Sequence, residues 1–103
     1  MSILKGVLQE ELERNLQKQS VFQDELNKYP KGSLCIVTVH GDKYLYRKYR
    51  EGNKIISKYI GLLDSDAAKQ AYFQRNKYIQ LKKDVKELKE EEIKLRKVLK
   101  IYD

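Results

Sequence analysis

Apolar residues recur at helical spacing in the first and last thirds of the chain and alternate with polar residues in the middle third. The first third has an apolar stripe that consists of Leu4, Leu8, Leu12, Leu16, Val21, Phe22 and Leu26. Steps of about four residues predict an amphipathic helix over residues 3–28. Tyr29-Pro30 ends this helix, because the residue before a proline is pushed out of the α region.

The middle third predicts a three-stranded antiparallel β-meander over residues 33–60. It is rich in Val, Ile, Tyr and Thr, and two turn signals, Gly41-Asp42 and Gly52-Asn53, divide it into runs of strand length. Two-residue loops at these points connect strands over residues 33–40, 43–51 and 54–60.

Alternation along these strands predicts two different faces. With two-residue loops, Val37 lies opposite Tyr46, which lies opposite Tyr59. The first face then carries Cys35, Val37, Val39, Tyr44, Tyr46, Lys48, Arg50, Ile55, Ser57 and Tyr59. The second face carries Leu34, Ile36, Thr38, Leu45, Arg47, Tyr49, Ile56, Lys58 and Ile60. Because the second face is more aliphatic, we expect it to pack on helix and the first face to stay open.

The last third predicts one long helix over residues 65–102, capped by Asp64 or Ser65. Its seam positions follow steps of three and four residues and are Ala71, Gln74, Tyr78, Leu81, Val85, Leu88, Glu92, Leu95, Leu99 and Tyr102. This spacing is typical of a coiled coil. We expect the first helix to pack antiparallel along the seam, and a second copy of the chain is an alternative partner, as a homodimer through residues 78–102.

These elements together predict an α+β fold in one domain, residues 1–103. An N-terminal helix and a three-stranded antiparallel meander precede a long C-terminal helix, and the two helices form an antiparallel coiled coil. A chain of this length has a modest core, so a deep pocket for a small-molecule substrate is not expected.

The charge of the chain is concentrated where the tyrosines are. The net charge is +7 overall, and residues 31–62 hold seven Lys/Arg against two Asp/Glu, a balance of +5. Within the run KYLYRKYR (residues 43–50), rings that can stack on bases alternate with cations that can neutralise phosphates. The alternative is that the tyrosines are cross-strand packing partners and the cations protect strand edges.

The candidate contact residues for nucleic acid, or for a nucleic-acid-bound protein complex, follow from this run and the next strand. They are Tyr44, Tyr46, Arg47, Lys48, Arg50, Lys54, Lys58 and Tyr59. A secondary basic stripe on the last helix comprises Lys82, Lys83, Lys86 and Lys89, among acidic residues that are available as helical ion-pair partners.

Enzymatic, metal and membrane chemistry find little support in the sequence. His40 is the single histidine and Cys35 the single cysteine, so no catalytic pair, disulfide framework or Cys-based zinc site is expected. Consecutive Glu90, Glu91 and Glu92 diverge around a helix and do not converge on one ion. No phosphate loop or dinucleotide fingerprint suggests a cofactor. Without an apolar run of membrane length or a signal-peptide pattern, a cytoplasmic protein without membrane contact is expected.

Three short motifs carry a family resemblance. KGSL (residues 31–34), YREG (49–52) and SKYIG (57–61) resemble a group of short bacterial proteins of unassigned function. More distantly, the order of three strands and a helix is similar to the arm-type DNA-binding domains of tyrosine integrases, whose sheet docks in the major groove. That similarity implies DNA-facing roles for Lys43, Arg47, Lys48, Arg50 and Lys58. The first helix and the long last helix lie outside that pattern.

Three functional hypotheses follow. The first is a non-enzymatic nucleic-acid or nucleoprotein-binding protein that uses the basic, tyrosine-rich meander. The second is an inhibitor encoded by a phage or mobile element, similar to an anti-CRISPR protein, that binds a host nuclease or its guide-RNA complex. The third is a coiled-coil adaptor or dimer.

Overall fold

The computed structural model describes residues 3–102. Its elements, in chain order, are helix α1 (Ile3–Leu26), strands β1 (Ser33–Val39), β2 (Asp42–Glu51) and β3 (Lys54–Leu62), and helix α2 (Asp66–Ile101). The predicted α+β order is confirmed. The described residues form two compact units, one of residues 3–28 with 79–102 and the other of Tyr29–Tyr78, and α2 contributes to both.

In the helical unit, α1 packs antiparallel to the second part of α2, as predicted. The seam positions of α2 in this unit are buried or half-buried, and they are Leu81, Val85, Leu88, Glu92, Leu95 and Leu99. Tyr102, the last predicted seam position, is exposed. Steps of three and four therefore identified the contacting face of α2 over five turns, because their mean matches the helical repeat.

The contacting face of α1 differs from the leucine stripe. A line of buried and half-buried positions runs along α1 in steps of four and three and comprises Leu8, Leu12, Asn15, Gln19, Phe22 and Leu26. Leu4, Leu16 and Val21 are exposed, so their assignment to the packed stripe is wrong. Constant steps of four drift around a helix of 3.6 residues per turn, whereas alternating steps stay in line. Asn15 takes the central place, with 3% of its surface exposed.

The first turn of the meander is His40-Gly41, one residue earlier than predicted. Both residues have positive φ, 51° and 86°, as a type I′ turn requires. Val39 therefore pairs with Asp42, and the predicted partner of Val37 is wrong, since Val37 lies opposite Tyr44. The shift in register is two residues, an even number, so every side chain of β1 keeps its predicted face.

The second turn is Gly52-Asn53, as predicted, and Tyr46 lies opposite Tyr59. Farther along, the pairing shifts between Leu45 and Tyr46, where Leu45 meets Gly61. Ile60 is thus the extra residue of a β-bulge, and β3 extends two residues beyond the predicted end. The bulge brings Leu62 opposite Tyr44.

The second face of the sheet packs on the start of α2, as predicted. Leu45 is 0% exposed and forms a core with Ala68 and Ala71, and the half-buried residues around it are Leu34, Ile60 and Leu63. Small alanine side chains allow the helix to approach the sheet closely. Ser65 fixes where α2 starts: its Oγ accepts a hydrogen bond from the Ala68 amide at 3.2 Å and donates one to the Leu62 carbonyl at 2.6 Å. This arrangement leaves the first face of the sheet uncovered by that helix.

Candidate functional site

Three tyrosine rings meet on the first face of the sheet. The ring centroids of Tyr46 and Tyr59 are 5.4 Å apart in an edge-to-face arrangement, and those of Tyr44 and Tyr59 are 6.2 Å apart and tilted. Tyr59 lies between the other two and is 53% exposed, while Tyr44 and Tyr46 are half-buried. We call these three residues the tyrosine cluster. Ring pairs at these distances attract one another, so the three rings stabilise one another's positions.

Two cations continue the cluster along β2. Lys48 and Arg50 follow Tyr44 and Tyr46 at every second position, so all four side chains emerge on one face. Both cations are exposed. Among residues 3–102, no carboxylate lies within ion-pair distance of either one. We call the surface formed by the tyrosine cluster, Lys48 and Arg50 the open face.

The other end of the open face is aliphatic. Val37 and Leu62 flank Tyr44 from the two neighbouring strands, and Val39 lies next to the first turn. All three are exposed. Sequence reasoning placed Val37 and Val39 on this face but missed Leu62, because the bulge that brings it there shows in the sequence only as Gly61, near the strand end.

The remaining predicted contact residues lie on the opposite face. Pairing places Arg47 opposite Lys58 and Lys54 opposite Glu51, and these side chains point to the side of the sheet that packs on α2. Arg47 is half-buried, whereas Lys54 and Lys58 are exposed. The eight predicted contact residues are therefore divided between two faces. Of the cations implied by the integrase resemblance, only Lys48 and Arg50 share a face with the tyrosine cluster.

An arginine that sequence reasoning missed binds the main chain just before β1, one of the strands that form the open face. The guanidinium of Arg75 donates a hydrogen bond to the Gly32 carbonyl at 2.8 Å, and it lies 5.6 Å from the ring centroid of Tyr78. Gly32 in turn lies directly against the main chain of Lys48 and the Cβ of Tyr49. The KGSL motif thus has a structural role, since its glycine allows this close approach.

The secondary basic stripe belongs to the helical unit. Lys82, Lys86 and Lys89 follow one line along α2, and Lys83 lies about 100° around the helix from Lys82. All four are exposed. Neighbouring carboxylates do form local contacts, since Asp84 accepts a hydrogen bond from Gln80 at 3.0 Å. The four lysines thus form an exposed cationic surface of α2, and their role as a secondary contact site stays a prediction.

In residues 3–102, no group of three or more His, Cys, Asp or Glu side chains is placed to hold a metal ion. The two helices of the same range lack a stretch that is long and apolar enough to cross a membrane. The chain matches no protein-family model, no curated protein and no solved structure.

Proposed function

We propose that the protein is a non-enzymatic nucleic-acid-binding protein and that the open face of the meander is its contact surface. The observation that supports this function is the placement of three packed tyrosine rings and two exposed cations on one face. Aromatic rings stack on bases of any sequence, and neighbouring cations neutralise the phosphates. Because stacking needs an unpaired base, single-stranded DNA or RNA is the expected ligand.

The two cations make a testable contribution to the salt dependence of binding. Each phosphate contact on a single strand contributes about 0.7 to the slope of log affinity against log salt. The double variant Lys48→Glu/Arg50→Glu should therefore weaken binding at low salt and reduce the slope by about 1.4. Fluorescence anisotropy with a labelled single-stranded oligothymidine, titrated between ~50 and ~200 mM salt, measures both quantities.

The other side of the sheet offers a matched control. Lys54→Glu/Lys58→Glu changes the net charge by the same amount on the opposite face. We expect this control to retain the slope of the wild type. Equal losses of affinity in both double variants would mean that net charge alone drives binding. If the wild type had no affinity for the oligonucleotide at low salt, the proposed function would be ruled out.

The aliphatic end of the open face favours a second candidate, a protein-binding inhibitor. Protein–protein interfaces have an aromatic and aliphatic centre with few charges, whereas protein–DNA interfaces are more polar and more positive. Val37, Val39 and Leu62 around Tyr44 fit the first description. The most specific version of this second candidate has a nuclease or its guide-RNA complex as the partner. Binding to such a protein that persists at high salt, without affinity for free oligonucleotide, would favour it.

A further inference from the structure

The two outer strands of the sheet differ in how well their free edges are protected. Among residues 3–102, the strand order β1-β2-β3 leaves one edge of β1 and one edge of β3 without a strand neighbour. Such an edge presents a row of unpaired amide and carbonyl groups that can pair with another strand. Natural proteins block it with charged side chains, prolines or bulges.

Strand β3 has these protections and β1 has none of them. Lys54 and Lys58 place charges on β3, and the bulge at Ile60 interrupts its regular pairing. In contrast, β1 has the sequence SLCIVTV, seven residues without a charge, a proline or a glycine. Its content of Val, Ile and Thr is typical of a β-strand, and none of its residues is of a kind that blocks pairing at a free edge.

The turn geometry identifies the backbone groups at the edge of β1. The His40-Gly41 turn makes Val39 and Asp42 a hydrogen-bonded pair, and such pairs alternate along an antiparallel ladder. The amide and carbonyl groups of Leu34, Ile36 and Thr38 therefore point away from β2. The Ile36 side chain, at the middle of the strand, is 52% exposed although it lies on the face that packs on α2.

We infer that β1 is a dimer interface and that it pairs antiparallel with β1 of a second copy of the chain. Full overlap of the seven residues places Ile36 opposite Ile36 of the second copy, which covers the exposed side chain. The full overlap also places Leu34 opposite Thr38 and Cys35 opposite Val37 of the second copy, so no two like charges of β1 meet although each chain carries a net charge of +7. A two-fold axis through this pair makes every contact self-complementary.

The pairing produces one six-stranded sheet. Because antiparallel pairing in a sheet keeps corresponding faces on the same side, the two tyrosine clusters lie on one continuous surface. At about 4.8 Å per strand, this surface is roughly 29 Å wide. The dimer does not depend on the proposed function, and a monomeric chain with affinity for oligonucleotides would contradict only the dimer.

The test compares one substitution at two positions of nearly equal exposure. Ile36 is 52% exposed at the β1 edge and Ile93 is 55% exposed on α2. Sedimentation equilibrium of the wild-type chain over a range of concentrations should show twice the chain mass at high concentration. Ile36→Lys should weaken the dimer at least about tenfold, because it places like charges opposite each other, and Ile93→Lys should leave it unchanged. The reverse result would place the dimer on the helices and overturn the inference, as would a wild-type monomer at every concentration.

A second pair of variants separates loss of pairing from loss of folding. Thr38→Pro removes an outward amide of β1, and Ser57→Pro makes the same change at the outer edge of β3. Circular dichroism should show folded protein for both variants, and only Thr38→Pro should dissociate the dimer. A dimer that persists in folded Thr38→Pro would contradict the pairing of β1.

Discussion

The side-chain amide of Asn15 donates a hydrogen bond to the main-chain carbonyl of Leu88, across the interface between α1 and α2, at 2.8 Å. The Asn15 oxygen accepts one from Gln19 at 2.6 Å, and the same Gln19 nitrogen lies 2.9 Å from a carboxylate oxygen of Glu92. The other oxygen of Glu92 is 2.7 Å from Arg96. A buried polar residue at one seam position commonly fixes the register of a coiled coil, because a shifted pairing leaves it unsatisfied.

Removing the amide of Asn15 should destabilise the helical unit. Asn15→Ala removes the donor to the Leu88 carbonyl and one of the two acceptors of the Gln19 amide, and it leaves a gap in the seam. We expect the free energy of unfolding to fall by about 1–3 kcal/mol. Asn15→Leu should be more stable than Asn15→Ala but should lose the register, which doubled amide cross-peaks in NMR spectra would reveal. Urea denaturation measures the stabilities, with Gln17→Ala, at an exposed position, as the control. Equal stability of Asn15→Ala and the wild type would contradict this role.

Glu92 should make the helical unit sensitive to acid. The hydrogen bond from Gln19, followed by that from Arg96, lowers the pKa of the Glu92 carboxyl below its ordinary value. A carboxyl whose pKa is lower in the folded state stabilises the fold above its unfolded pKa of about 4.3, and this contribution is lost as the pH falls through the folded pKa. Glu92→Gln should therefore have a lower Tm than the wild type at pH 7, and the difference should shrink below pH ~4.

The neighbouring carboxylate provides the control for this titration. Glu91→Gln removes a charge one residue away, at an exposed position. Thermal unfolding followed by circular dichroism should show that its Tm stays close to that of the wild type across the same pH range. If the difference in Tm between Glu92→Gln and the wild type were the same at all pH values, the titration of Glu92 would not contribute to stability.

The predicted faces of the sheet are correct although one predicted turn is not, because the error did not change the direction in which any side chain points. The first turn was misplaced by one residue, and the resulting register error of two residues left Tyr44 and Val37 on their predicted face. In α1 the error did change the predicted face, because apolar spacing alone assigned Leu16 to the packed stripe and left out the polar Asn15. Asn15 fits the interface because it donates a hydrogen bond to the Leu88 carbonyl, 73 residues away in the chain. No local sequence pattern reveals such a contact. The bulge at Ile60 was missed because only Gly61, near the strand end, marks it in the sequence.

The glycine of the KGSL motif should not tolerate a side chain. Gly32 has a φ of 108°, and an added Cβ would lie 2.9 Å from the Cβ of Tyr49 and would collide with the main-chain oxygen of Lys48. Gly32→Ala should therefore lower the free energy of unfolding by more than ~1 kcal/mol. Gly6→Ala is the matched control, because its Cβ would meet nothing within 4 Å and alanine favours a helix by about 0.5–1 kcal/mol. Urea denaturation should give opposite signs for the two variants, and equal signs would contradict the steric argument.

Tyr59 should dominate oligonucleotide binding, because it is the most exposed ring of the tyrosine cluster and contacts both of the others. Loss of one base–aromatic stack costs about 1–3 kcal/mol, so Tyr59→Ala should raise the Kd for single-stranded oligothymidine by roughly 5- to 150-fold. Tyr59→Phe keeps the ring and should bind like the wild type. Tyr72→Ala removes an exposed tyrosine from α2 and is the control. If Tyr59→Ala and Tyr72→Ala have equal effects in fluorescence anisotropy, or if neither has any, then bases do not stack on the open face.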